Sequence, residues 1–164
     1  MTPAQVQRSE TPGPDTHARA QKSLASASGQ YFNVCGYKVV TERMHEKQSH
    51  SQAIVEVRFG TTCVRQSAMG VGPVHALDEA LRACLSGEFP ELAEVRLSDY
   101  KVSIVDSTDA TAAQVRVIIE ATDGDSTWDA GCVSENIIDA SFEALVSTSV
   151  MGIMKARGGA RRSA

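Results

Sequence analysis

The chain has 164 residues, a formal net charge of −4 and 42% hydrophobic residues, which suits one domain or two small units sharing a core. The negative charge offers no general attraction to nucleic acid, so we expect no nucleic-acid partner. We expect no apolar run of membrane-spanning length and no signal segment, and therefore a cytoplasmic protein without membrane contact.

The first 29 residues differ in composition from the rest of the chain. They hold three of the five prolines together with Ser, Thr, Gln and Ala, and almost no large apolar residue. Such a segment cannot bury enough apolar surface to offset the entropy lost on ordering. We therefore predict a disordered tail or linker over 1–29, a folded domain over 30–156 and a short basic tail over 157–164.

Three strands and one helix are predicted for the first half of the folded domain. The first strand covers 31–40 with an interruption at Cys35-Gly36, and a glycine within a strand often marks a bulge. The second strand, 53–59, alternates apolar residues on one face, and the third covers 62–69. A helix with an apolar stripe then runs over about 73–85, which gives the order β-β-β-α.

The second half repeats this order. Strands are predicted over 95–105, 114–120 and 126–133, and the middle one is the most β-branched run in the chain. A second helix begins near Ser134, a plausible N-cap, and runs to about Lys155, before a pair of glycines.

The two halves are also similar residue by residue. Glu79-Ala80-Leu81 aligns with Glu143-Ala144-Leu145 at an offset of 64 residues. We infer two copies of one unit, over about 31–87 and 95–156. Each copy has one apolar sheet face and one helix, so we predict an α+β fold with antiparallel sheets. A second chain would cover the remaining apolar surface in a symmetric dimer.

No metal, cofactor or catalytic group is expected from the side chains. The four cysteines show no metal-ligand spacing and fall within apolar patterns, so we expect reduced, buried small hydrophobes. They are Cys35, Cys63, Cys84 and Cys132. His45 and His50 lie in a polar loop, and no Ser/His/Asp or Cys/His arrangement can be assembled.

The turn before the first helix is the strongest local motif. Gly70 and Gly72 permit backbone conformations closed to other residues, and Pro73 fits the first helical position. A helix start offers unpaired N–H groups and a favourable dipole end to a carboxylate, although many such starts bind nothing. Dinucleotide binding is disfavoured because the third glycine of that fingerprint is absent.

Three motifs together resemble the C-terminal regulatory domain of 2-isopropylmalate synthase and citramalate synthase. Gly70–Leu81 resembles that domain's G-x-G-P-V-x-A-L-x-x-A-L helix start. Leu97–Val102 resembles the strand that opens its second half, and Gly131–Ser141 resembles its second helix start in a form nearer the citramalate type. The resemblance covers about 30–156.

The resemblance implies a dimeric module that binds a branched-chain amino acid as feedback inhibitor. In the family the effector is leucine for one enzyme and isoleucine for the other, and it lies near the glycine turns, the helix starts and the dimer interface. Carried over to this chain, the resemblance implies effector contacts at Gly70, Val71, Gly72, Pro73, Val74 and Ala76 and, with the second unit, at Ser134, Asn136, Ile137 and Ala140.

Two departures from the family leave alternatives open. Val71 and His75 stand where the family often has asparagine, which removes polar amides from the implied effector site. The family's catalytic barrel and its His-x-His metal pair are absent, so we expect no synthase activity and a separate catalytic synthase chain as a candidate partner. The alternatives are a dimerisation scaffold that has lost its effector, or a truncated remnant of a synthase.

Overall fold

The computed structural model describes residues 29–43, 48–105 and 113–160, with side chains to Gly158. Residues 1–28 of the tail predicted over 1–29, residues 44–47 of the loop with His45, residues 106–112 and the last four residues lie outside the described residues. The first unit comprises β1 (Asn33–Glu42), β2 (His50–Phe59), β3 (Thr62–Gly70) and α1 (Pro73–Leu85). A 3₁₀ turn (Pro90–Glu94) leads to β4 (Arg96–Ile104), β5 (Val115–Thr122), β6 (Thr127–Ser134) and α2 (Ile137–Ala160).

Each unit forms its own antiparallel three-stranded sheet, in the order β1-β2-β3 and β4-β5-β6. Helix α1 packs on β2 and β3, helix α2 packs on β5 and β6, and the two helices contact each other. Buried apolar residues of both units form one continuous core, which includes Leu77 and Leu81 of α1 and Phe142 and Leu145 of α2. The predicted α+β fold with two β-β-β-α units is therefore confirmed.

Both units carry an irregularity in their first strand. The register shifts between Val34 and Gly36 on β1, and between Leu97 and Asp99 on β4. The predicted interruption at Cys35-Gly36 is thus confirmed. Because a bulge adds one residue to the strand, it changes the face on which the neighbouring side chains lie.

Several predicted boundaries are wrong. Strand β2 begins at His50 rather than at 53, so His50 lies in a strand and not in the predicted polar loop. Residues 29–31 are helical, so β1 begins at Asn33 rather than at 31. Ser134 is not an N-cap, because it pairs with Val115 as the last residue of β6. Helix α2 continues to Ala160, and its last turns are held by Arg157, which pairs with Glu91 at 2.8 Å.

Helix α2 has the length and composition of a membrane span over Ile137–Gly158, where mean hydropathy is 1.4, so the expectation that no apolar run reaches that length is wrong. About 56% of that segment is buried inside the fold. Its buried side chains, among them Val150 and Ile153, pack within the common core. The apolar character of α2 is therefore that of a core helix covering a sheet.

The cysteines differ in their burial. Cys84 is buried and Cys132 half-buried, as expected of small hydrophobes, and all four thiols are free. Cys35 and Cys63 are exposed, so the expectation of burial is wrong for these two. They lie on β1 and β3, on the side of the first sheet that α1 does not cover.

Candidate functional site

The start of helix α1 is open, which means here that no side chain caps its first N–H groups. Gly72 is the N-cap residue, with extended backbone, and its carbonyl accepts the first helical bond from the N–H of Ala76 at 3.0 Å. Gly72 has no side chain to cap the helix, and the first turn contains no acidic residue. Pro73 occupies the first helical position, as predicted. The N–H groups of Val74 and His75 therefore lie at a helix end without a capping side chain.

The two glycines of this turn have different structural roles. Neither has a positive φ, since among the glycines that the structure describes only Gly60 (+56°) and Gly124 (+95°) do. The predicted special conformations at Gly70 and Gly72 are therefore wrong. Gly70 is needed for space, because a Cβ there would lie 2.5 Å from the backbone nitrogen of Ala76. A Cβ at Gly72 would meet nothing within 4 Å.

The side chains around this turn range from exposed to buried. Val71 is 76% exposed at the tip of the turn, while Val74 is half-buried and Ala76 is buried. His75 folds back over the turn, and its Nδ1 accepts a hydrogen bond from the N–H of Val71 at 3.3 Å. Its Nε2 lies 3.8 Å from Glu79. The predicted effector residues of the first unit therefore differ in exposure, from Val71 at the surface to Ala76 within the core.

The start of helix α2 is closed by its own side chains. Asn136 occupies the position equivalent to Gly72, and its Oδ1 accepts the N–H of Ile138 at 2.9 Å. The N–H of Asn136 in turn donates to Ser134 Oγ at 3.1 Å. The first turn also carries Asp139. The N-cap is therefore Asn136, and this helix end already has both a cap and a negative charge.

The remaining predicted residues of the second unit lie on either side of that cap. Ile137 is 42% exposed, whereas Ala140 is fully buried in the core. The N–H of Ala140 donates to the carbonyl of Asn136 at 3.0 Å, as Ala76 does to Gly72 in the first unit. The two predicted sets thus occupy equivalent points of the two units.

A contact between the units adds residues that the sequence analysis missed. Tyr37 of β1 donates its hydroxyl proton to Asp139 of α2, and its ring lies 4.6 Å from that of Phe142. Tyr100, which aligns with Tyr37 in the repeat, bonds instead to Ser141 of its own unit at 2.8 Å. The repeat shows in the sequence that Tyr37 and Tyr100 are equivalent, but no local pattern indicates that Tyr37 bonds to a residue 102 positions away.

The same contact changes two ionisation equilibria. Burial, followed by the hydrogen bond to Asp139, raises the pKa of Tyr37 to about 12. Burial and the nearby Asp139 carboxylate also raise the pKa of Glu143. The second helix start is therefore a place where additional negative charge is disfavoured.

We expect the protein to lose the stabilisation that the Tyr37 contact provides when the pH becomes alkaline. Because the folded pKa lies above the unfolded value of 10.0, this contribution to stability is complete below pH 10 and is lost as the pH rises towards about 12. Urea unfolding across this range should show a smaller alkaline loss for Tyr37→Phe than for the unsubstituted chain. Tyr100→Phe is the matched control, and parallel losses in all three proteins would contradict the assignment.

One face of the second sheet leaves apolar side chains exposed. Val102 and Ile104 follow Tyr100 at alternate positions of β4, so they lie on the face that bears α2. Helix α2 covers β5 and β6, and these two side chains stay 43% and 66% exposed. Contiguous exposed apolar surface on an edge strand is typical of an interaction surface.

Comparison with known proteins gives a consistent result. Residues 12–152 match the family described as the LeuA allosteric (dimerisation) domain. The chain is 43% identical over 120 residues to the (R)-citramalate synthase of Geobacter sulfurreducens, an alignment covering 73% of this chain and 23% of that protein.

Two further relatives agree. Identity is 40% over 126 residues with the (R)-citramalate synthase of Aquifex aeolicus, covering 76% of this chain and 24% of that protein. Identity is 36% over 135 residues with the (R)-citramalate synthase of Streptomyces coelicolor, and the alignment covers 80% of this chain and 25% of that protein. The chain thus spans about a quarter of the length of the curated relatives it matches. It belongs to the family of LeuA allosteric (dimerisation) domains.

Proposed function

We propose that this chain is a non-catalytic, cytoplasmic regulatory module that binds a branched-chain amino acid and regulates a citramalate synthase. Its effector would be isoleucine rather than leucine, because the matched relatives are named (R)-citramalate synthase and the second helix start resembles the citramalate type. The open start of α1 is the observation that carries the proposal.

The effector carboxylate would bind at that open helix start. The N–H groups of Val74 and His75 and the positive end of the helix dipole favour an anion there. Gly72 leaves free space above these groups, since nothing lies within 4 Å of the place where its Cβ would be. The half-buried Val74 and the exposed Val71 supply apolar surface for a branched side chain.

A homodimer would complete the module. The apolar face of β4 is left uncovered by α2, and a second copy of the chain is the partner that the family description favours. Effector binding would act by favouring one of two arrangements of the dimer, because a ligand shifts an equilibrium only through its differential affinity for the two states. The synthase that responds would lie on a separate chain or elsewhere in a longer protein.

The dimer has a direct test in β4. We expect Ile104→Asp to raise the dimer dissociation constant by on the order of a hundredfold, because it places a charge within the proposed apolar contact. Ser103→Asp, on the opposite face of the same strand, is the matched control. Sedimentation equilibrium measures both, and equal dimerisation of the two variants would exclude this face as the interface.

Effector binding is tested by isothermal titration of the chain with isoleucine, leucine and valine. We expect saturable heat with isoleucine and at least tenfold weaker binding of valine, since each missing methylene in an apolar pocket costs about 1–3 kcal/mol. A folded dimer that gives no heat with any of the three amino acids would exclude the effector role.

One observation favours a second candidate, a dimerisation scaffold without an effector. His75 already accepts a hydrogen bond from the N–H of Val71, so one backbone donor of the turn is satisfied within the protein. Substituting asparagine at 71 and 75, the residue that the related domains often have, distinguishes the two. Isoleucine binding that appears only in this double variant would favour the scaffold.

A further inference from the structure

The outer face of the first sheet brings three metal-ligating side chains together. The Sγ atoms of Cys35 and Cys63 and a carboxylate oxygen of Glu56 all lie within 4.8 Å of one another. Each comes from a different strand: Cys35 from β1, Glu56 from the central β2 and Cys63 from β3. This cluster, called here the Cys-Glu-Cys cluster, is not used by the proposed effector site.

The bulge in β1 explains why the cluster forms. Gly36 is the β1 partner of Glu56, and Cys35 is the extra residue inserted between the paired positions Val34 and Gly36. A bulge re-aims the inserted side chain, which here lies on the same outer face as Glu56. On the other edge of the sheet, Cys63 of β3 is the partner of Arg58, which follows Glu56 by two residues on β2 and so lies on the same face.

The geometry suits a metal ion better than a disulfide. Cys35 and Cys63 lie on strands separated by β2, so their backbones are two strand spacings apart, roughly 9–10 Å. A disulfide needs Cα atoms within about 7 Å, so it would require the backbone to move. A tetrahedral ion with bonds of about 2.3 Å to sulfur and about 2.0 Å to oxygen needs only small side-chain adjustments.

The charges around the cluster also fit a bound cation. Two thiolates and a carboxylate would repel one another without a cation between them. Arg65 lines the same surface groove of about 210 Å³ beside Cys35 and Glu56, and its charge would offset the excess negative charge of a filled site.

The second unit provides an internal comparison. Its bulge holds Ser98 where the first unit has Cys35, and Ser98 Oγ donates to Glu120, the equivalent of Glu56, at 2.8 Å. Thr127 stands at the position equivalent to Cys63. The same backbone thus carries an ordinary hydroxyl–carboxylate hydrogen bond in one unit and two thiols around a carboxylate in the other.

We propose that Cys35, Glu56 and Cys63 form a binding site for a borderline-soft divalent cation of the Zn²⁺ type, with water as the fourth ligand. Binding releases the two thiol protons, so the affinity rises with pH. The ion joins β1 to β3 across the outer face of the first sheet. Cys63 precedes Gly70 by seven positions on β3, roughly 23 Å along the strand, so the cation site is separate from the effector site.

The test is a titration of the reduced chain with Cd²⁺, whose bonds to thiolate give ultraviolet charge-transfer absorption, and with Zn²⁺ in competition. We expect one ion per chain, a raised melting temperature and displacement of Cd²⁺ by Zn²⁺. Cys35→Ser and Cys63→Ser should each weaken binding at least a hundredfold. Glu56→Gln should weaken it about tenfold, because it removes one ligand charge and keeps both sulfurs.

Two controls make the result specific to the cluster. Cys132→Ser removes a thiol of the second unit and should leave the titration unchanged. The double variant Ser98→Cys/Thr127→Cys should create a second site of the same kind, with two ions bound per chain. The proposal is overturned if the reduced chain shows no charge-transfer absorption, or if the absorption persists in Cys35→Ser/Cys63→Ser.

Discussion

Gly70→Ala should lower the free energy of unfolding by about 3 kcal/mol, the upper part of the range for overpacking a close contact. The added Cβ would lie 2.5 Å from the backbone nitrogen and 2.9 Å from the Cα of Ala76. Both atoms belong to the first turn of α1, so no side chain can move aside. The helix must shift away from β3, which disturbs the buried contacts of Leu77 and Leu81 behind it.

Urea and thermal unfolding measure this effect, and a loss of about 3 kcal/mol corresponds to a decrease of roughly 10 °C in melting temperature. Gly72→Ala is the matched control, because a Cβ two residues away meets nothing within 4 Å and the backbone there is extended. Equal destabilisation by both substitutions would mean that the turn, and not the close approach of α1, requires glycine.

Gly72→Asn should reduce isoleucine affinity at least tenfold without destabilising the fold. The substitution places in the first unit the residue that already caps α2, where Asn136 Oδ1 accepts the N–H of Ile138 at 2.9 Å. The new amide would occupy the N–H groups proposed to bind the effector carboxylate. A hydrogen bond to a charged group contributes about 1.5–3 kcal/mol, which sets the size of the effect.

Two measurements separate this effect from damage to the fold. The melting temperature of Gly72→Asn should equal or slightly exceed that of the unsubstituted chain, since asparagine is a better N-cap than glycine by a few tenths of a kcal/mol. Gly72→Ala adds bulk without a cap and should keep most of the affinity. Unchanged isoleucine binding in Gly72→Asn would show that the effector carboxylate lies elsewhere.

The sequence predicts the fold well where local chemistry marks the boundaries. Both ends of α1 are as predicted, because Pro73 suits the first helical position and Ser86-Gly87 follows the last apolar residue. The bulge at Cys35-Gly36 is also as predicted. These features depend on neighbouring residues, so a local pattern is sufficient to find them.

The errors arise where the local structure is determined by residues that are far apart in the sequence. Ser134 and Asn136 are both good caps, and only the pairing of Ser134 with Val115 places it in the sheet and leaves the cap to Asn136. The need for glycine at Gly70 comes from a backbone approach that no local pattern reveals. Likewise, the apolar pattern that predicted buried cysteines does not show that the bulge places the Cys35 side chain on the exposed face of the first sheet.

The difference between the two helix ends has a consequence for stoichiometry. A dimer of two-unit chains contains four starts of the repeated helices α1 and α2, but the two that begin at Ile137 carry a cap and an acidic first turn of their own. Of these four, the two starts with Gly72 have no capping side chain and remain open to an anion. Because the two units have diverged in this way, the dimer would bind one effector molecule per chain at saturation. Both units would then contribute to the fold, but only the first would bind the effector.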